Sequence, residues 1–375
     1  SMGAFAVIHP GLEGIVQAEL PRLGIEGEVV PGGVRFDADH ARVVDLARTM
    51  RTPSQLLLEL GSGPAKSPDQ LVGLVRKHPW KSLFHPLSKV KVVVSSRQSA
   101  LRFRDAAAGT VTTAIREALK GPFNPDREAR PRQVQVVQVR LDNDLATISV
   151  DAGGELLHRR GWRTEAGKAP LRENLAACLV WLSDWKPGQA LLDPFCGSGT
   201  IPVEAALLGA GRSPFVGRTF ACDEWRGGAG APRAGSGARG PRPARREGKP
   251  KGSPGSSTGA FFGSDHYGPA LDVAANNARR AGVNVSFRQV DVAVLTPPAP
   301  TGTLVCNPPY GDRLGTSVAG VYGTFGRALR ENFTGWTACF IAPDPSLAQR
   351  VDRRAERLAH FKNGGIPVGV YAFVP

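Results

Sequence analysis

No stretch of this 375-residue sequence forms an apolar run near the roughly 20 residues that span a bilayer. The N-terminus also lacks the basic start and apolar core of a signal peptide. These absences argue against a membrane protein, and a soluble cytoplasmic chain is expected. Cysteine is scarce: Cys178, Cys196, Cys222, Cys306 and Cys339 form no CxxC pair, and no histidine lies at zinc-ligand spacing. Neither a disulfide framework nor a metal site is expected, and each thiol reads as a small buried apolar residue. No Walker lysine follows the glycine turn described below, so a triphosphate cradle is not expected.

What is abundant is positive charge and core-forming residues. The hydrophobic content of 41% over 375 residues allows roughly two to three compact domains. Net charge is +14, from 47 Lys and Arg against 33 Asp and Glu, and it is concentrated. Residues 66–140 hold 15 basic against 5 acidic side chains, and residues 226–259 hold 8 against 1, so the remainder is close to neutral. A polyanion would be held by the first basic segment, with the second a candidate arm for phosphates. Charge alone leaves RNA, DNA and a membrane surface open.

Periodicity divides the chain in the same way. Residues 4–58 read as a small α+β unit, with a strand over 5–8, a helix over 12–23, a hairpin at Gly32-Gly33 and a helix over 39–49. A basic strand-and-helix module follows: a helix over 69–77, a strand over 89–94, a helix over 105–120 with Asp105 as its N-cap, and strands over 133–141 and 145–150. From Pro170 onward helices and apolar strands alternate, which predicts a doubly wound parallel sheet. Asn363-Gly364-Gly365 suggests that the chain ends in an antiparallel hairpin at the sheet edge. Residues 226–259, rich in Gly, Pro, Ser and Arg, interrupt the alternation and read as a mobile loop.

Two strings carry the chemistry. Asp193-Pro194-Phe195-Cys196-Gly197-Ser198-Gly199-Thr200 follows an apolar strand and precedes a helical run. A strand ending on an acid and turning through two glycines into a helix lets backbone approach a nucleoside-type cofactor closely. An acid at the end of the next strand can accept from ribose hydroxyls, and Asp265 has that place; Asp291, after the following strand, is placed for an adenine amine. Either aspartate alone would read as a helix N-cap.

The second string is Asn307-Pro308-Pro309-Tyr310. An exocyclic base amine is a poor nucleophile because its lone pair is delocalised into the ring. Acceptance of its hydrogens by the Asn307 carboxamide and the Pro308 carbonyl favours a pyramidal nitrogen, and the prolines stiffen that pair of acceptors. Tyr310 is expected to stack on a base taken out of its helix. Holding the amine in line with an activated methyl can supply roughly 7–11 kcal/mol of the barrier, so no strong base is required.

These strings, together with Arg160-Gly161-Trp162-Arg163 and its continuation to Ala176, closely resemble the THUMP-containing class I RNA methyltransferases that form N2-methylguanosine. The resemblance is greatest to the bacterial 23S ribosomal RNA branch, with the transfer RNA branch a close relative. It implies an α/β architecture: a ferredoxin-like domain over 1–60, a THUMP RNA-binding domain over 61–155, a linker over 156–169 and a Rossmann-like seven-stranded methyltransferase domain over 170–375. It implies S-adenosylmethionine as cofactor. Arg172, Glu173 and Asn174 would line its methionine end, and Asp193, Phe195, Gly197, Gly199 and Thr200 would form its loop. Asp265 would bind the ribose, Asp291 the adenine, and Asn307 and Tyr310 the target base. The basic insertion departs from the more helical segment that relatives have there. A DNA adenine N6-methyltransferase and a non-catalytic RNA-binding assembly factor are the rival readings.

Overall fold

The computed structural model describes residues 2–126, 128–163, 171–227, 260–311 and 317–375. The expected basic loop beyond Gly227, and residues 164–170 of the expected linker and motif string, lie outside the described residues.

The first half of the chain builds β1 (Gly3–Val7), α1 (Glu13–Glu19), β2 (Glu28–Val30), β3 (Gly33–Asp37), α2 (His40–Thr49), β4 (Gln55–Pro64), α3 (Pro68–Arg76), α4 (Trp80–Leu83), β5 (Lys89–Arg97), α5 (Arg104–Leu119), β6 (Val134–Asp142) and β7 (Leu145–Asp151). The second half builds α6 (Glu173–Leu182), β8 (Leu191–Asp193), α7 (Thr200–Gly209), β9 (Phe261–Asp265), α8 (Gly268–Ala281), β10 (Ser286–Gln289), β11 (Gly302–Cys306), α9 (Val318–Asn332), β12 (Trp336–Ala342), α10 (Pro345–Val351), β13 (Glu356–Asn363) and β14 (Ile366–Phe373).

Each half has one seven-stranded sheet. The first has the order β2-β3-β1-β4-β7-β6-β5 and is antiparallel except for the β5 to β6 pair. Its joining strand is β4, which pairs with β1 on one side and β7 on the other and runs across residue 60. That strand was not expected. Its run Leu56-Leu57-Leu58 is buried throughout, so it lacks the alternation that marks a half-exposed strand. The second sheet has the order β10-β9-β8-β11-β12-β14-β13, with the first five strands parallel and the closing β13–β14 hairpin antiparallel at the edge. This is the expected doubly wound arrangement.

Local signals explain most element ends. The side chains of Asp39, Ser67, Ser317 and Asp344 each accept an amide hydrogen in the first turn of α2, α3, α9 and α10. Asp105 does not cap α5: the helix starts one residue earlier, Phe103 is its N-cap, and no side chain caps it. The expected helix over 12–23 is α1 followed by a 3-10 turn, Leu20–Leu23, because Pro21 cannot donate to the α-helical ladder.

A buried polar network joins the two halves. The Glu19 carboxylate accepts from the Arg51 and Thr52 amides at 2.6 and 3.0 Å, and from the Thr52 hydroxyl. Arg160, 1% exposed, donates from Nε to Glu204 Oε1 at 2.9 Å and from Nη2 to the Arg51 carbonyl at 2.5 Å. Asn174 Nδ2 donates to the Thr52 carbonyl at 3.2 Å. Apolar packing is continuous across the same junction. A buried pair of this kind is satisfied only while both halves are in place.

Candidate active site

The glycine turn forms because β8 is only three residues long and fully buried, so its last residue, Asp193, comes out at the carboxyl edge of the sheet. Asp193 Oδ1 accepts the Phe195 amide at 2.9 Å, which folds the turn back on the strand. Burial holds the Asp193 carboxyl well above the usual range, opposed by the Phe195 amide and reinforced by the charge of Asp265. Gly197 and Gly199 have φ of +49° and +79°. A Cβ on Gly199 would lie 3.0 Å from the Ala274 Cβ, so this glycine serves the packing of turn against α8. A Cβ on Gly197 would meet nothing within 4 Å. Space is open over Gly197, where the expected cofactor backbone approach would occur.

β9 lies beside β8 in parallel and ends on Asp265. Its carboxylate is already engaged: Oδ2 accepts the Gly197 amide at 3.0 Å and Oδ1 the Tyr267 amide at 3.0 Å. Asp265 thus ties the glycine turn to the neighbouring strand; Oδ2 retains a second lone pair for a hydroxyl, while Oδ1 also faces His266 Nδ1 at 3.4 Å. Asp291 is exposed, and its Oδ1 accepts the Ala293 amide at 2.8 Å as N-cap of a 3-10 turn, Val292–Val294. Its helix-cap role is therefore realised in this structure. Thr200 is the first residue of α7, with its hydroxyl 3.3 Å from that of Ser198.

On the other side of β8, β11 runs parallel and ends at Cys306, so Asn307 and Pro308 emerge at the same carboxyl edge as Asp193. Asn307 Oδ1 is buried and has no hydrogen-bond partner among the described residues. Unpaired buried acceptors are rare because each forfeits its hydration, and one at a site of expected chemistry marks a place for a donor from a ligand. Tyr310, expected to stack on the target base, is placed in the core. Its ring is 3% exposed and packs in the core, and its hydroxyl accepts from Asn363 Nδ2 at 2.6 Å. In this conformation it presents no open face on which a base could stack.

The Arg172-Glu173-Asn174 string divides. Arg172 is the exposed N-cap of α6, whereas Glu173 and Asn174 are buried. Arg163 Nη1 donates to Glu173 Oε1 at 2.6 Å, and Glu173 Oε2 and Asn174 Oδ1 have no hydrogen-bond partner among the described residues. The expected cofactor's fit can be tested on these observations. Acceptors without a partner among the described residues at Glu173, Asn174 and Asn307, open space over Gly197, and the second lone pair of Asp265 Oδ2 suit a ligand carrying an ammonium group, ribose hydroxyls and an amine-bearing base. The donor set fits.

Several residues at this junction had no assigned role in the sequence. Asn363 lies 53 positions from Tyr310, and the Thr52 carbonyl that orients Asn174 lies in the other half, so only tertiary folding brings them together. Asn277 Nδ2 donates to the Ser198 carbonyl at 3.0 Å and fixes the glycine turn from α8. All five cysteines are buried, and burial pushes every thiol up, Cys222 to about 11 and Cys339 to about 12. None is a thiolate nucleophile at neutral pH. No group of side chains able to hold a metal and no helix long and apolar enough to cross a membrane occurs among the described residues.

Residues 160–371 match the family model described as RMKL-like, methyltransferase domain, and residues 4–57 match that of the RlmL ferredoxin-like domain. Among solved structures, a predicted N6-adenine-specific DNA methylase from Listeria monocytogenes superposes with a TM-score of 0.81 at 25% identity, covering 100% of this chain and 96% of its own. A possible methylase from Clostridium difficile gives the same score and identity, with 100% and 98% covered. TrmN from Thermus thermophilus shares the fold, with a TM-score of 0.70, 22% identity and 99% of each chain covered.

Proposed function

From the premise that the chain belongs to the RMKL-like methyltransferase family, we propose that it is an S-adenosylmethionine-dependent RNA methyltransferase that forms N2-methylguanosine in 23S ribosomal RNA. The observation that carries this reading is the buried, unpartnered Asn307 Oδ1 at the carboxyl end of β11, in the same edge as the glycine turn. An amide oxygen so placed is an acceptor awaiting an N–H, and an exocyclic base amine supplies one.

S-adenosylmethionine, when bound, supplies a methyl group already activated on a sulfonium. The protein has then to hold the acceptor rather than deprotonate it strongly. Asn307 and the Pro308 carbonyl accept the amine hydrogens and keep its lone pair directed away from the base ring. Glu173 Oε2 and Asn174 Oδ1 are the acceptors for the methionine ammonium, Asp265 for the ribose hydroxyls, and Asp291 for the adenine amine. Phe195, beside Asp193 in the turn, provides an apolar wall. For Tyr310 to stack on the target base, the loop after Pro309 has to release the ring from the core and from Asn363.

The RNA and its guanine rest on the motif resemblance and on charge. The segment 66–140 carries the larger part of the positive charge, and it builds the THUMP-like part of the first sheet between about residues 61 and 155. A cytoplasmic location follows from that substrate. Incubation of the protein with labelled S-adenosylmethionine and total RNA, followed by digestion to nucleosides, tests the proposal. Label is expected in N2-methylguanosine, and it should map to the large-subunit RNA. Label in transfer RNA alone would move the substrate to the sister branch. Label in N6-methyladenosine, or transfer to DNA in place of RNA, would overturn it, as would binding of RNA with no transfer.

A further inference from the structure

The corner where β5 runs into α5 is unlike the rest of the surface. Phe103 is 83% exposed, more than any other large apolar side chain among the described residues. It stands between Arg102 and Arg104, both exposed, with Arg97 and Gln98 exposed just before. A shallow hollow of about 560 Å³ lies beside it, lined by Ser96, Gln98, Ser99, Ala100, Arg102 and Arg104, with no acidic side chain in the lining.

This loop is braced against the β6–β7 turn. The Ala100 amide donates to Asp144 Oδ1 at 2.7 Å, the Asp144 amide to Ser99 Oγ at 3.0 Å, and the Asn143 amide to the Arg97 carbonyl at 3.2 Å. Within the loop, Ser96 Oγ donates to the Leu101 carbonyl at 2.8 Å. Three of the four non-glycine residues with positive φ among the described residues, Gln98, Asn143 and Asp144, fall at this one corner. Asn143 and Asp144 are the two central residues of the β6–β7 hairpin, a turn that requires left-handed backbone at both positions, whereas Gln98 is held there by the loop around it. The aromatic ring is therefore exposed on a braced support.

We infer that Phe103, flanked by Arg102 and Arg104, is a stacking platform for an unpaired base of single-stranded RNA, with the two guanidinium groups on the adjacent phosphates. The corner supplies both halves of such a site: a π-face open to solvent, which every base can stack on, and an exposed cation at each neighbouring position of the chain for the backbone. Two carboxylates lie close by, Asp105 in the first turn of α5 and Asp144, which accepts the Ala100 amide; both keep their charge and reduce the field of the arginines in part. The inference rests on the RNA reading above and adds to it the residues by which the basic module grips its substrate.

The test uses the full-length protein and a fluorescein-labelled 15-nucleotide single-stranded RNA of mixed sequence, with affinity read by anisotropy over a salt series. Phe103→Ala is expected to weaken binding roughly 5- to 100-fold, the range for one lost base stack. Arg102→Gln with Arg104→Gln is expected to reduce the slope of log affinity against log salt by about 1.4. Phe103→Trp should retain affinity and show fluorescence quenching on addition of RNA that the wild type lacks. Thermal melting of all three should match the wild type, because these side chains are outside the core. Wild-type affinity in Phe103→Ala and in the double arginine variant, with no quenching in Phe103→Trp, would overturn the platform and leave the RNA reading standing; the exposed ring would then belong to a protein contact. Failure of the wild type itself to bind the RNA would overturn both.

Discussion

The two seven-stranded sheets solve the problem of burying a sheet in opposite ways. In the second, parallel strands are packed by α6 to α9, so nearly every residue of β8, β11 and β12 is buried. At the carboxyl edge of that sheet Asp193, Asp265 and Asn307 converge. The first sheet packs α3 and α5 on one side and leaves a broad groove of about 1050 Å³ on the other, lined by Arg35, Lys91 and Arg140 among others. A sheet with both faces covered concentrates chemistry at one edge. A sheet with an open face offers area and charge instead.

The sharpest contrast is between ion pairs. Glu204→Ala, in the second half, leaves Arg160 buried and unpaired beneath the first, and roughly 3–5 kcal/mol of stability is expected to be lost. Glu59→Ala removes a pair with Arg35 on the open face, where the arginine is 45% exposed, and should cost about 1 kcal/mol or less. Urea denaturation of the two variants measures both. Similar losses would break the comparison.

Next in size is the site itself. Asn307→Ala is expected to slow methyl transfer by roughly 10² to 10³-fold, the range for removing one preorganised polar group. RNA retention on filters should be unchanged, which would place chemistry and binding in different sheets. Glycines come third. Gly199→Ala combines a φ of +79° with a Cβ 3.0 Å from that of Ala274, and should cost roughly 2–3 kcal/mol. Gly32→Ala, at φ +85° in the β2–β3 hairpin with open space around it, should cost about 1 kcal/mol. Chemical denaturation distinguishes them.

The smallest effect is one of pH, at the junction of the sheets. Burial, then the charges of Arg172, Arg159, Arg160 and Arg163, push the His158 imidazole down to about 4. The unfolded chain takes up that proton near 6.5, the folded one only near 4. Stability from this group is therefore fully present above about pH 6.5 and is lost as pH falls toward 4. His158→Gln should flatten that decline in melting temperature by an amount worth about 1 kcal/mol, discounted because the partly exposed ring is screened by solvent.

Elements with a clear local period or cap were legible in advance: the sequence pattern puts helices over 200–209, 268–281 and 318–332 and a strand over 336–342, and α7, α8, α9 and β12 lie there. The elements that escaped lacked a period. β4 is apolar on both faces at its start, and α10 is too short at 7 residues to establish a helical repeat. The site was legible in the same uneven way. The glycine turn and the Asn307 string announce themselves because backbone geometry demands glycine and proline at fixed places. The orientation of Tyr310 and the isolation of individual acceptors do not.

By itself the sequence determined the alternation that builds the second sheet, the order of Asp193, Asp265, Asp291 and Asn307 along it, and the concentration of positive charge in residues 66–140. Those properties depend on neighbours within a few positions, or on composition, and survive without a fold. Only tertiary structure decided that one strand, β4, joins two modules into a single sheet. It alone set Asn363 on the Tyr310 hydroxyl, put Thr52 against Asn174, and left Phe103 in solvent on a braced loop. Each of these depends on a partner 40 or more residues away, and no local preference encodes which distant group will fill a hydrogen bond once the chain has collapsed.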